Sequence, residues 1–106
     1  MSDSIKKLTK EITAFTDKRG WHNNTTDLRG MAISICLEAA ELLEHFQWMD
    51  GQTNEERVEH RREDISDELA DVAIYVFQLA EKLDLDLAEA IREKMKKNGE
   101  KYPAEQ

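Results

Sequence analysis

Four carboxylates with regular spacing are the residues of this chain most able to do chemistry. They form two pairs, Glu38-x-x-Glu41 and Glu68-x-x-Asp71, and each pair stands in an apolar stretch with helical periodicity. Residues three apart share one face of a helix, so each pair presents two carboxylates side by side. If the two helices pack antiparallel, the four carboxylates converge into a site suited to Mg²⁺ or Mn²⁺, which prefer oxygen ligands.

Two other interpretations of these acidic residues were weighed against a metal site. Carboxylates on helices usually face solvent. Two of them about 4 Å apart, however, repel by about 4 kcal/mol at an effective dielectric constant near 20. Four together therefore require a cation or shared protons. A di-iron bundle would use Glu-x-x-His pairs, and none of the three histidines (His22, His45 and His60) has Glu three residues before it.

Four helices must position the carboxylates. The chain has 106 residues and a single proline, and 36% of its residues are charged, which predicts one all-α domain over residues 1–106. The third helix follows the second after a short turn, which predicts that these two pack antiparallel in a four-helix bundle. Apolar periodicity and capping residues predict helix 1 from about Ser4 to Arg19, helix 2 from Thr26 or Asp27 to about Met49, helix 3 from Asn54 to about Leu83 and helix 4 from Asp86 onward.

Local signals add more detailed predictions. Segments 53–56 (Thr-x-x-Glu) and 86–89 (Asp-x-x-Glu) have the spacing of capping boxes. Residues 55–64 are so polar that the first part of helix 3 is expected to be frayed or loop-like. Gly99 is expected to stop or kink helix 4, and Cys36 is expected to be a small core residue.

Charge and composition exclude several classes of protein. The net charge is −8 with no basic cluster outside the C-terminal region, so we expect no nucleic-acid polymer as a partner. No apolar run approaches membrane-spanning length, and residues 1–15 lack the apolar segment of a signal peptide. One cysteine permits no internal disulfide, which fits a reducing compartment. The expectation is a cytoplasmic protein without a membrane partner.

Helices 2 and 3 carry apolar residues on more than one side. On helix 2, for example, Met31 and Leu42 share one wide apolar face, whereas Ile33 and Leu37 lie opposite. A lone four-helix unit would expose large apolar patches, so we expect a homodimer or a homotetramer.

The acidic pairs and their flanks resemble the MazG-like all-α nucleoside triphosphate pyrophosphohydrolase superfamily, on the dCTP pyrophosphatase-like side. The matching segments are LEAAELLEHFQW at 37–48, DELADVAIYVFQLAEKL at 67–83, KMKKNGEKYP at 94–103 and the Arg-Gly-Trp at 19–21. Many members carry His-x-Pro-x-Asn-Leu before helix 2, where this chain has Thr-Asp-Leu-Arg-Gly-Met at 26–31. That departure concerns base recognition more than metal chemistry.

The resemblance implies Mg²⁺-dependent hydrolysis of a nucleoside or deoxynucleoside triphosphate to the monophosphate and pyrophosphate, as house-cleaning of the nucleotide pool. It implies that Glu38, Glu41, Glu68 and Asp71 form the catalytic metal site, with Glu41 named here as the candidate general base. The implied substrate-binding residues are Trp21 and Trp48 at the base, with Phe15 as a further candidate, Lys94 and Lys101 at the phosphates, and Asn98 and Tyr102 at phosphate or sugar.

Two alternatives stay open at this point. Phosphoribosyl-ATP pyrophosphatases are relatives with similar helices and would differ in substrate. A helical protein that binds a nucleotide or a metal without catalysis is the other alternative, and intact acidic pairs argue against it.

Overall fold

The protein is built from four α-helices. The computed structural model describes residues 4–20 and 28–104, and no strand occurs in these ranges, so the predicted all-α fold is confirmed. None of the helices in the described part of the chain is long and apolar enough to cross a membrane. The helices are α1 (Ile5–Lys18), α2 (Leu28–Gln47), α3 (Asn54–Lys82) and α4 (Leu87–Lys101).

Side chains cap three of these helices at their N-termini. The Lys7 N–H donates to the hydroxyl oxygen of Ser4 at 3.1 Å. At α3 both bonds of the predicted capping box over 53–56 form, at 2.9 and 3.1 Å. At α4 the Asp86 carboxylate accepts from the Glu89 N–H at 3.1 Å. These bonds satisfy backbone donors that a helix start leaves without a partner. The predicted start of helix 2 at Thr26 or Asp27 lies outside the described residues.

The structure corrects three local predictions. Residues 55–64 are helical, because the capping box fixes the start of α3, and the irregularity is confined to a kink at Arg61 (φ −125°, ψ 24°). Gly99 neither stops nor breaks α4, which continues to Lys101. Cys36 is exposed and is not a core residue, because α2 packs with its opposite side against α3.

The bundle is assembled around α3. Its largest interface is with α2, α1 packs on it less extensively, and α4 has a small contact with α1. The antiparallel α2–α3 pair is therefore the most extensively packed part of the fold, and it is the pair that carries the acidic residues. Among the described residues, the buried apolar side chains are Met31, Ile65 and Ala80, so the core of one protomer is thin.

The isolated protomer is more open than a compact monomer of its size. Its accessible surface is 8616 Å², whereas a compact monomer of this mass would expose roughly 6,100 Å². Its radius of gyration is 16.8 Å, against roughly 13 Å for a compact domain of this length. Large apolar side chains remain exposed on several helices, among them Leu37, Leu43 and Met95.

Candidate functional site

Three of the four predicted carboxylates meet between α2 and α3. Glu38 and Glu41 extend from α2 and Glu68 extends from α3, and each offers an oxygen that lies within 4.8 Å of the oxygens of the other two. Glu38 and Glu68 are half-buried and Glu41 is exposed. The group can therefore bind a cation at a position that solvent reaches from the Glu41 side.

Asp71 stands one turn beyond Glu68 on the same helix and falls outside this closest group. Its charge nevertheless reaches the cluster, because it contributes to raising the pKa of both Glu38 and Glu68. Asp71 also lines the cavity described below. It thus connects the cluster to the adjoining space.

The α2–α3 packing has to align two pairs that lie at different distances from the connecting turn. The second pair is farther from the turn in sequence, which in straight helices amounts to an offset of roughly 6 Å. The kink at Arg61 lies within this intervening part of α3. With that kink present, Glu68 lies level with Glu38 and Glu41.

Burial and mutual repulsion weaken the acidity of the cluster. The pKa of Glu38 is raised from 4.5 to about 7, first because the side chain is desolvated and then because the Glu41, Glu68 and Asp71 carboxylates lie nearby. The pKa of Glu68 is raised as well, with desolvation as its largest cause. The Oε2 atoms of Glu38 and Glu68 are buried and have no hydrogen-bond partner among the described residues. These carboxylates lack the compensation that a structural ion pair would provide.

The raised pKa of Glu38 predicts how the stability of the metal-free protein depends on pH. Between pH 4.5 and 7 the folded protein holds a proton on Glu38 that the unfolded chain has lost. Stability therefore decreases as pH rises through this window. We expect the melting temperature in EDTA to fall from pH 5 to pH 7.5. In Glu38→Gln this component of the pH dependence should disappear, whereas an equal slope in both proteins would contradict the assignment.

A cavity adjoins the cluster on the side of Asp71. It lies between α1, α2 and α3 and has a volume of about 670 Å³. Its lining is mostly apolar, with polar groups at a few positions. The residues around it are Glu11, Ile12, Phe15, Thr16, Gly30, Met31, Ser34, Asp71, Ile74, Tyr75 and Gln78.

Most of these lining residues were missed by the sequence reasoning. Phe15 was proposed at the base and does line the cavity. Tyr75 and Gln78 were not proposed, although a signal was present: they follow Asp71 by four and seven residues and so share its helical face. The α1 residues gave no comparable signal, because their approach to Asp71 depends on how α1 packs on α3.

Apart from Phe15, none of the predicted substrate-binding residues that the structure describes lines the cavity beside the carboxylates. Trp21 lies outside the described residues. The indole of Trp48 is 72% exposed and is absent from the cavity lining, while its backbone carbonyl accepts a hydrogen bond from Arg57. On α4 and just after it, Lys94, Asn98, Lys101 and Tyr102 are all exposed.

Helix α4 has few contacts within the protomer. Its main contact is with α1, and in the described part of the chain it forms no extensive interface with α2 or α3. Lys101 lies with its Nζ 5.4 Å from the centre of the Tyr102 ring. The α4 side chains are exposed in the protomer, so their contact with a substrate stays a prediction.

Known proteins resemble this chain in sequence and in fold. The sequence model of the MazG-like family matches residues 33–106. Human (Homo sapiens) dCTP pyrophosphatase 1 is 34% identical over 104 residues, which cover 96% of this chain and 59% of the human protein. The Mus musculus protein of the same name is 30% identical over 103 residues, which cover 95% of this chain and 58% of the mouse protein. This chain therefore spans less than two thirds of the length of these mammalian relatives.

A solved structure agrees over almost the full length of both chains. A pyrophosphatase from Archaeoglobus fulgidus DSM 4304 superposes with a TM-score of 0.86 and is 36% identical to this chain. The alignment covers 98% of this chain and 96% of the archaeal one.

Proposed function

Because the chain belongs to the MazG-like family, we propose that it hydrolyses a nucleoside or deoxynucleoside triphosphate to the monophosphate and pyrophosphate. The observation that carries this proposal is the cluster of Glu38, Glu41 and Glu68 beside a cavity of about 670 Å³. In this proposal residues 1–106 act as one catalytic domain, and the reaction removes unwanted nucleotides in the cytoplasm.

The cluster fits a hard divalent cation. The Oε2 atoms of Glu38 and Glu68 are buried without a partner in residues 4–20 and 28–104, and a cation would compensate both. All the available ligands are carboxylate oxygens, which favour Mg²⁺ and also suit Mn²⁺. Glu38, Glu41 and Glu68 would hold the ion, with Asp71 from the next turn. A bound ion of this kind neutralises a triphosphate and lowers the pKa of a water molecule.

Residues of the chain itself would position the site, accept a proton and bind the nucleoside. The half-buried Glu38 and Glu68 fix the position of the site, since both extend from the packed α2–α3 pair. Glu41, the exposed member, is our candidate to accept a proton from the attacking water. The cavity beyond Asp71 has room for the nucleoside part of the substrate.

We propose further that the remaining substrate contacts come from a second copy of the chain. Trp48 and the four residues Lys94, Asn98, Lys101 and Tyr102 are exposed in the protomer. A homodimer or homotetramer that covers the exposed apolar surface can bring these side chains to the carboxylates of a neighbour. The lysines would add positive charge for the phosphates, Asn98 and Tyr102 would contact phosphate or sugar, and Trp48 would join Trp21 at the base.

The oligomer is expected to depend on the exposed apolar residues of α2. Leu43 is 60% exposed, so Leu43→Glu costs little in an isolated protomer but places a charge in an apolar interface. Light scattering after size exclusion should give a wild-type mass at least twice 12.3 kDa and a smaller mass for the variant. The exposed neighbour offers a matched control, Glu44→Gln, which should keep the wild-type mass. A monomeric wild type at micromolar concentration would contradict the proposal.

The function is tested with purified protein, Mg²⁺ and a panel of nucleoside and deoxynucleoside triphosphates, modified bases included. dCTP comes first, because the mammalian relatives are named for it. Monophosphate and pyrophosphate are measured together. Selective release of both products supports the proposal.

The same assay separates the alternatives. If no triphosphate is hydrolysed but phosphoribosyl-ATP is, the chain is a phosphoribosyl-ATP pyrophosphatase. If neither is hydrolysed while nucleotide or Mg²⁺ still binds, the chain is a binding protein without catalysis.

A further inference from the structure

The cavity lining includes one buried polar side chain that has no hydrogen-bond partner among the described residues. Gln78, on α3, is 9% exposed and lines the cavity beside Ile12, Met31 and Ile74. Its amide makes no hydrogen bond within the described part of the chain. In the free protein, water can solvate this amide. A ligand that fills the cavity excludes the water, so it must supply hydrogen bonds to the amide or lose affinity.

The place of Gln78 along α3 indicates which part of a ligand it would meet. Asp71 and Gln78 are seven residues apart, almost two full turns, so they lie on one helical face roughly 10 Å apart. The Asp71 end adjoins the carboxylate cluster. A nucleotide whose phosphates lie at the cluster would extend along this face, and its length from 5′ oxygen to base edge matches the separation.

Aromatic rings stand along the same path. Tyr75 lies on α3 between Asp71 and Gln78, and Phe15 lines the cavity from α1. An aromatic face suits a nucleobase, because every base has a π-face for stacking. Tyr75 is the candidate for this contact, since the Arg19 guanidinium covers the Phe15 ring with its Cζ 3.6 Å from the ring centre. The cavity therefore combines apolar and aromatic walls with a few polar groups, of which Gln78 is the buried amide and lies two helical turns from Asp71.

We propose that Gln78 hydrogen-bonds the edge of the substrate's nucleobase, an inference that rests on the proposed function. A glutamine amide offers one acceptor oxygen and an NH₂ donor. It can therefore form a pair of hydrogen bonds with a base that presents a donor next to an acceptor. Cytosine and adenine do so with an amino group beside a ring nitrogen, and uracil does so with N3–H beside a carbonyl.

Gln78→Leu keeps the approximate volume of the side chain and removes both hydrogen bonds. The base edge then loses both hydrogen bonds to this side chain, and nucleotide affinity should fall by about 10- to 100-fold. Inorganic tripolyphosphate has no base to reach this end of the cavity, so its affinity should not change. Gln47→Leu makes the same substitution at an exposed position outside the cavity and should bind both ligands as the wild type does.

Calorimetric titration in Mg²⁺ with α,β-imido nucleoside triphosphates and with tripolyphosphate tests the proposal without turnover. Nucleotides that bind the wild type more tightly than tripolyphosphate, with most of that difference lost in Gln78→Leu, would support it. A difference that survives in Gln78→Leu would overturn it. Nucleotides that bind no more tightly than tripolyphosphate would overturn it while leaving the cation and triphosphate site intact. Binding of neither ligand would overturn both this inference and the proposed function.

Gln78→Glu is a second test, because a merely structural role of Gln78 would not explain a change in base preference in this variant. At pH 8 an ionised carboxylate accepts hydrogen bonds but donates none. Guanine presents two neighbouring donors, N1–H and the N2 amino group. The affinity of Gln78→Glu for its nucleotide should therefore rise about tenfold relative to the affinities for the cytosine, adenine and uracil nucleotides. Affinities are compared after division by that for tripolyphosphate, which removes the general effect of the added charge. Equal losses for all four bases would contradict base contact by this residue.

Discussion

Glu68→Gln is expected to lower kcat/KM for nucleotide hydrolysis by about 1000-fold while the protein stays folded. Glu68 is half-buried, and its Oε2 has no partner in the part of the chain that the structure describes. A carboxylate oxygen of Glu68 lies within 4.8 Å of oxygens of Glu38 and Glu41. Glutamine keeps the shape but loses the charge that holds a cation. The loss of several kcal/mol of charge stabilisation corresponds to about three orders of magnitude in rate.

Folding should suffer little from the same substitution, because it removes one of several mutually repelling carboxylates. The pKa of Glu68 is already raised by desolvation and by its neighbours, so the neutral amide relieves an unfavourable arrangement. In EDTA the melting temperature should therefore equal or exceed that of the wild type. Glu68→Ala should also lose turnover, at a modest cost in stability from lost packing.

The matched control is Glu63→Gln, an exposed glutamate on the same helix outside the cluster. It should retain wild-type kinetics and Mg²⁺ affinity. Loss of a cation ligand should leave far less than about a tenth of the wild-type rate. If Glu68→Gln kept more than that, Glu68 would not be part of the catalytic site.

Removing divalent cations should abolish turnover completely and reversibly. The proposed substrate is an anion that approaches an acidic cluster in a chain of net charge −8, and without a cation the two repel each other. Dialysis against EDTA is expected to eliminate product formation, and added Mg²⁺ or Mn²⁺ should restore it.

Cation binding should also be visible without substrate. A ligand present at 100 times its dissociation constant stabilises the folded state by about 2.7 kcal/mol. Mg²⁺ should thus raise the melting temperature of the wild type and of Glu63→Gln, but have little effect on Glu68→Gln. Turnover that persists in EDTA would argue against a cation at the cluster. An equal thermal response in all three proteins would place the cation elsewhere.

The local features of this fold could be predicted from the sequence because their causes lie within a few residues. The capping box over 53–56 depends on two side chains one turn apart, and both of its hydrogen bonds form. The helices follow from apolar periodicity, and for α1, α3, the end of α2 and the start of α4 the predicted ends differ by about two residues or fewer from those observed. The acidic pairs likewise needed only the helical spacing of three to be recognised.

Local signals were misleading at two places, where polarity was used to predict a loop and residue type was used to predict burial. Residues 55–64 are polar, yet they are helical, because the cap at Thr53 and a solvent-facing surface suffice to maintain a helix there. Cys36 belongs to a residue type that is often buried, but burial depends on which side of α2 packs against α3.

The tertiary structure alone decided which residues share a site. The sequence by itself determined four helices and two acidic pairs. It did not determine that Glu38, Glu41 and Glu68 form the closest group, that Asp71 adjoins a cavity, or that Gln78 lies buried in the lining of that cavity. Those relations depend on the α2–α3 packing, on the kink at Arg61 and on where α1 rests on α3. Each arises from contacts between residues distant in sequence, which helical spacing does not encode.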